Sequence, residues 1–336
     1  MIRTIDAHAD GGPLRLIVEG VPSPHGRTML EKRDWLTRHA DQWRRALLLE
    51  PRGHTDMCAA ILTEPVSPGS HAGLLFMRGD GYCTMSGHGI IAATTIALER
   101  GLIGLSSADG DGTSVIYDTP AGVIRARAHF RAGGAGGVRV QRVAFVNVPS
   151  FVLHAGMRVA VGPRKVLADV AFGGAFYAIV DSEAVGLPID AAHLPELRRA
   201  GVAISGAIEA VQTIAHPVET GLSGLAGTIF TAPPGDERSA LRNVAIFAGA
   251  GAERSPGGTG TAAVMAVVDA MGLIGSGTPF VHESLIGTRF TGRIVGRTTV
   301  GDYPAIVPEI EGAAWITGEH TFLIDEDDPL KGGFQV

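Results

Sequence analysis

Apolar and polar positions alternate with a period near two at the start of the chain, where TIDAHADGGPLRLIVEG reads as a strand, a Gly-Gly-Pro turn and a second strand. Between Thr28 and Leu49 the period lengthens. Leu30, Trp35, Leu36, Trp43 and Leu47 recur at three- and four-residue steps among charges, which predicts an amphipathic helix. CAAILTEPV and AGLLFMRGD then read as strands on either side of a Pro-Gly loop. TMSGHGIIAATTIALERGL is a Gly-rich turn opening an Ala-rich helix that stops at Gly101.

The tract RAGGAGG, Arg131 to Gly137, predicts a hairpin turn or a short joint between domains, and GVRVQRVAFVNVP beside it alternates like a strand. A second run of elements then repeats the first. ADVAFGGAFYAIV predicts two strands, PIDAAHLPELRRAGVAISGAIEAV a helix, and TIAHP and GTIFTAP further strands. SPGGTGTAAVMAVVDAMGLIG is another Gly-rich turn leading into an apolar helix. Ser86-Gly87-His88-Gly89-Ile90 aligns with Gly257-Gly258-Thr259-Gly260-Thr261, and both helices run out into Gly-Leu-Ile-Gly. Such a repeat implies duplication of one supersecondary unit and two similar α/β domains. The expected division is 1–137 completed by 312–336, with 138–311 as the second domain. Both helices are too uniformly apolar for a surface. Each is expected to be the buried axis of its domain, with its N-terminus at a cleft between the two.

Composition narrows the function classes. A net charge of −6 and scattered basic residues give no footprint for a phosphate backbone, so nucleic acid is not an expected partner. The 47 glycines exceed the usual share of roughly 7% without a collagen-like period, so they are expected at turns and close backbone approaches. Two cysteines, Cys58 and Cys83, are too few for a disulfide scaffold and lack Cys-x-x-Cys spacing. No apolar run approaches the ~20 residues of a membrane span and the N-terminus lacks a signal-like run, so a cytoplasmic protein is expected.

A helix N-terminus preceded by glycines presents unpaired N–H donors and a partial positive charge, suited to a carboxylate or phosphate. One such turn could equally be tight strand-to-helix packing. Two aligned copies favour a small anionic substrate.

At this point the chain resembles the proline racemase family, and within it the branch that dehydrates trans-3-hydroxy-L-proline. The resemblance rests on Asp6-x-His8-x-x-Gly11-x-Pro13-x-Arg15, EPRGHTDM (50–57), GYCTMSGHGI (81–90), DVAFGGAFYAIV (169–180), GTIFT (227–231), RSPGGTGT (254–261), FTGRIVG (290–296) and HTFLIDEDDPLKGGF (320–334). It implies two pseudo-symmetric domains of the diaminopimelate-epimerase type, each a mixed sheet or barrel around a central helix. In the family's racemases a cysteine at each helix N-terminus serves one face of the imino acid, the helix end lowering the thiol pKa. The dehydratases typically carry threonine at the second position.

Here Ser86 stands at the first base position and Gly257 at the second. Glycine has no side chain to return a proton, so two-base racemisation is the least favoured reaction. One-sided chemistry is expected: Ser86 removes the α-proton, or serves only as a hydrogen-bonding group, and the 3-hydroxyl leaves as water to give a pyrroline-2-carboxylate. The space at Gly257 could hold a water. His88 could assist through its ring, although Gly87 and His88 in this family mainly supply backbone donors. Gly258 and Thr259 do the same at the second turn. Glu253 stands where the family has an aspartate for the ring nitrogen, Phe247 where an aromatic walls the ring, and Cys58 where an aromatic wall residue is common. Arg78-Gly79-Asp80 departs from the His-Asn-Glu of the dehydratases. A homodimer is implied by resemblance alone. Cys58 and Cys83 also suit small buried hydrophobes.

The remaining polar candidates read as structural. His8 and Asp10 have no companion ligands, so no metal is expected, and neither turn has a full dinucleotide fingerprint, so no cofactor is expected. His54 and Asp56 suit a satisfied buried pair near a turn, and Asp325 to Asp328 a solvated turn after the last strand. Against the lyase stand two alternatives: an epimerase or racemase acting on hydroxyproline or proline, and a binding protein that has lost both thiols.

Overall fold

The computed structural model describes residues 1–104, 112–132, 138–162 and 164–335. The glycines of the tract expected as a turn or joint lie at 133–137, outside the described residues. The chain divides into two compact units, Met1–Phe145 with Gly312–Val336, and Val146–Glu311. The first thus runs to Phe145, where the sequence suggested 137.

In chain order the first unit contains strands β1 (Ile2–Ala9) and β2 (Gly12–Glu19), helices α1 (Met29–His39) and α2 (Asp41–Leu48), and strands β3 (Cys58–Thr63), β4 (Ala72–Arg78) and β5 (Gly81–Cys83). Helix α3 (Gly87–Glu99) and strands β6 (Gly112–Thr119), β7 (Gly122–Ala132) and β8 (Val138–Val146) follow. The second unit holds β9 (Ser150–Val161), β10 (Arg164–Phe172), β11 (Phe176–Asp181), α4 (Ser182–Val185), α5 (Leu194–Glu209), β12 (Leu225–Ala232) and β13 (Leu241–Phe247). It continues with α6 (Gly258–Ala270), β14 (Phe280–Glu283), β15 (Arg289–Val300) and β16 (Tyr303–Gly312). The chain then returns to the first unit with β17 (Ala314–Phe322).

Strand pairing within each unit bears out the repeat. In the first, β17, β1 and β2 are antiparallel neighbours, β2 pairs parallel with β3, β3 antiparallel with β4, β4 parallel with β6, and β6 antiparallel with β7. In the second, β9, β10, β11, β12, β13, β14 and β15 show the same succession. There β15 pairs on to β16, and β16 meets β9 through Ala305–Phe151 and Ile306–Ser150, closing an eight-stranded ring. Parallel neighbours need a crossover, and helices supply it: α1 and α2 between β2 and β3, α4 and α5 between β11 and β12, α3 before β6, and α6 before β14.

The two apolar helices lie where uniform hydrophobicity requires. Every residue of α3 from Gly87 to Ala97 is buried, against β1, β2, β3, β7 and β17. Gly258 to Val267 of α6 are likewise buried, against β9, β10, β11 and β15. Burial of each Ile, Val or Met side chain contributes roughly 1.5–3 kcal/mol, which anchors both helix axes.

Local chemistry explains where the elements depart from the sequence pattern. The helix expected over Thr28–Leu49 is two, broken at Ala40, whose φ is −139°. Thr28 and Glu31 form a capping box at the start of α1, while Asp41 opens α2 by pairing with Arg44 at 2.6 Å. The Arg44 guanidinium is buried and donates to the carbonyls of Arg78 and Gly79, so α2 is tied to the turn after β4. TIAHP forms no strand, only an isolated bridge between Ala215 and Ser223. The helix expected from Pro188 begins at Leu194, because the Asp190 carboxylate holds His193 N–H (2.9 Å) and Nδ1 (2.8 Å) in a turn.

Candidate active site

In the first unit the chain leaves β5 and enters α3 through Ser86, the N-cap residue, with φ −139° and ψ 113°. Its Oγ accepts a hydrogen bond from Gly89 N–H at 3.2 Å, satisfying one of the helix's otherwise unpaired donors. The same oxygen lies 3.4 Å from His88 Nδ1 and 4.0 Å from the Sγ of Cys58, which donates towards it. Ser86, His88 and Cys58 are all buried. Helix dipole, amide and imidazole thus meet at one hydroxyl, each stabilising negative charge on it or accepting its proton. Gly89 is needed for space: a Cβ there would lie 2.5 Å from Phe76 Cε1 and 2.9 Å from Ser86 Oγ.

In the second unit Gly257 is the N-cap of α6 and supplies no side-chain cap. Its φ of 74° and ψ of 118° lie where L side chains are strained. Phe247 and Glu253 lie on opposite arms of the turn after β13, with Phe247 N–H donating to Gly251 O (2.8 Å) and Glu253 N–H to Ala245 O (2.9 Å). Both are buried, as are Gly258 and Thr259. Thr259 Oγ1 is 2.9 Å from the Tyr177 hydroxyl, and Thr261 Oγ1 is 2.9 Å from His282 Nδ1. Burial alone pushes the His282 imidazole down to about 3, so it is neutral.

Within the first unit the structure therefore gathers Ser86, Gly87, His88 and Cys58, and within the second Phe247, Glu253, Gly257, Gly258 and Thr259. Sequence reasoning passed over Ser255, Tyr177 and His282. The signals were in view, since Ser255 lies inside RSPGGTGT and Tyr177 inside the GGAFYA motif, but no pattern ties either to its partner.

Several motif residues are structural. Arg15 donates from Nε (3.0 Å) and Nη2 (2.8 Å) to the Asp6 carboxylate, and from Nη1 to the carbonyls of Leu47 (2.6 Å) and Arg52 (2.7 Å). This buried pair joins β1, β2, α2 and the loop that carries EPRGH. His8 stacks on Trp315 and accepts from Gly11 N–H, and burial lowers its pKa. His54 is exposed, bonded to Thr55 O at 2.7 Å, and Asp56 is only half-buried, so the buried pair expected there does not form. The loop position is the reason: both lie in the turn segment between α2 and β3, where His54 stays open to solvent. Burial drives the Cys83 thiol up to about 12, as befits an inert buried residue. Among the described residues no cluster of three His, Cys, Asp or Glu side chains could hold a metal.

The proline racemase family model matches residues 4–335, almost the whole chain. The chain belongs to the proline racemase family. This proline racemase family member is 42% identical over 331 residues, 98% of its own chain and 97% of the relative, to a protein of Bacillus thuringiensis named trans-3-hydroxy-L-proline dehydratase. It is 39% identical over 336 residues, 100% of its chain and 98% of the other, to a Burkholderia multivorans protein named 3-hydroxyproline 2-epimerase. Among solved structures it resembles a hydroxyproline epimerase from Agrobacterium vitis with bound trans-4-hydroxy-L-proline, with a TM-score of 0.92 and 31% identity, covering 100% of this chain and 94% of that one. The α/β architecture is accordingly that of the family.

Proposed function

We propose that this family member is a cofactor-independent hydro-lyase converting trans-3-hydroxy-L-proline to pyrroline-2-carboxylate. The observation that carries the reading is asymmetry between two equivalent helix ends: a hydroxyl beside an imidazole caps α3, and a glycine without a side chain caps α6. Such a pair supports removal of a proton from one face and offers no side chain to return one to the other. The relatives named trans-3-hydroxy-L-proline dehydratase support the same reaction class.

In the proposed sequence the Ser86 oxygen takes the α-proton, its own proton passing towards His88 Nδ1. The C–H electron pair forms the C2–C3 double bond as the C3–O bond breaks, and the hydroxide leaves with a solvent proton as water. Tautomerisation of the enamine gives the pyrroline. Backbone N–H groups at Gly87, His88, Gly258 and Thr259 are assigned to the substrate carboxylate, Glu253 to the ring nitrogen, and Phe247 and Cys58 to the walls of the ring. A cytoplasmic homodimer is the setting that goes with this reading.

Proton NMR with trans-3-hydroxy-L-proline in deuterated water tests it. The wild type should consume the substrate and form the pyrroline carboxylate, and Ser86→Ala should be slower by a factor on the order of 10³, the scale of losing a general base. An unchanged Ser86→Ala rate would remove the base assignment. Deuterium entering Cα without loss of water would turn the reading to an epimerase, and a ligand-induced rise in Tm without turnover to a binding protein.

A further inference from the structure

The turn RSPGGTGT is organised around Ser255, which the chemistry above does not use. Ser255 is 1% exposed, and both its N–H and its hydroxyl donate to the same Glu253 oxygen, Oε1, at 3.0 and 2.9 Å. The Ser255 oxygen in turn accepts from Gly257 N–H at 3.1 Å. The two amide bonds have a fixed direction, because a backbone N–H only donates. One hydroxyl therefore orients the buried carboxylate and also fixes the amide of the residue whose backbone stands at φ 74°. Thr261 N–H, bonded to Gly257 O at 2.8 Å, holds the other side of that residue.

We propose that Ser255 is a positioning residue: through one oxygen it sets both the aim of the Glu253 carboxylate and the glycine-only backbone of Gly257. The inference rests on the dehydratase reading, in which Glu253 meets the ring nitrogen. A carboxylate held at one oxygen by two donors keeps its rotamer without substrate, so binding the ring requires no reordering. Glu253 holds the ring in ground state and transition state alike, so losing its aim acts on KM rather than kcat.

The experiment compares Ser255→Ala, Ser255→Thr, Glu253→Gln and the double variant Ser255→Ala/Glu253→Gln on trans-3-hydroxy-L-proline, with hydrogen exchange of the peptide over residues 253–261 followed by mass spectrometry. Ser255→Ala should raise KM about 10-fold or more with kcat within about threefold, the scale of one hydrogen bond to a charged group. Ser255→Thr, which keeps the hydroxyl, should restore KM to within about threefold. In the Glu253→Gln background Ser255→Ala should raise KM by clearly less than it does in the wild type, what is left being its hold on Gly257, because two residues acting as a unit are not additive. Exchange over 253–261 should be faster in Ser255→Ala than in wild type. Losses that multiply in the double variant, a Ser255→Ala enzyme with wild-type KM, or unaltered exchange would each overturn the proposal. A wild type that does not turn over the substrate overturns the dehydratase reading instead, and the exchange comparison then decides the role of Ser255 by itself.

Discussion

Gly257 carries the consequence of a single missing methyl group. A Cβ at this position would find room, its nearest neighbour being Glu253 Cγ at 3.6 Å, so sterics do not exclude a side chain. The backbone does: at φ 74° an L-residue is strained by about 1–2 kcal/mol. Gly257→Ala should lower the Tm accordingly, and heat-induced unfolding followed by circular dichroism would show a drop of a few degrees. The identical Tm of variant and wild type would mean that the turn relaxes without cost. Ser86 is the converse case, since its φ of −139° suits any residue and the proposed reaction draws on its side chain.

At the scale of the elements, glycines mark where a turn presses on a helix. The β10–β11 turn lies so close to the first turn of α6 that a Cβ at Gly173 would fall 2.3 Å from Thr259 O and 2.6 Å from Ala263 N. Gly173→Ala should therefore displace the start of α6, costing about 1–3 kcal/mol in urea unfolding and raising KM; a gain in stability would contradict the packing. The β1–β2 turn offers a pH test. Asp10 N–H donates to Ala313 O and the Asp10 carboxylate accepts from Ala313 N–H, while burial raises the carboxyl pKa to about 6. A carboxyl raised in the folded state contributes stability below its unfolded pKa near 4 and loses it as pH climbs through about 6. Asp10→Asn should accordingly be more stable than wild type in urea unfolding at pH 8, by about 1–2 kcal/mol, and show no advantage at pH 4. The helix axes, the strand pairs around Gly-rich turns and the Ser86–Gly257 equivalence were legible because periodicity and repetition are local signals. The break at Ala40 and the Ser255 bonds were not. They depend on where Arg44 finds carbonyls and where Glu253 folds back, contacts that only the assembled chain creates.

Across the whole molecule, the same succession of parallel and antiparallel pairs recurs in both units, and each wraps an apolar helix whose N-cap the proposed reaction assigns to the site. Duplication supplied two equivalent helix ends; substitution made them unequal. On the proposed reading the inequality also puts an oxygen, Ser86 Oγ, at the working position. Both sulfhydryls are buried, and that of Cys83 is held far from its thiolate. The Cys83 thiol, so held, is a poor target for peroxide or an alkylating agent. On the proposed reading a serine oxygen at the base position surrenders acidity relative to a thiol, and in return the proton-transfer step itself is indifferent to redox state.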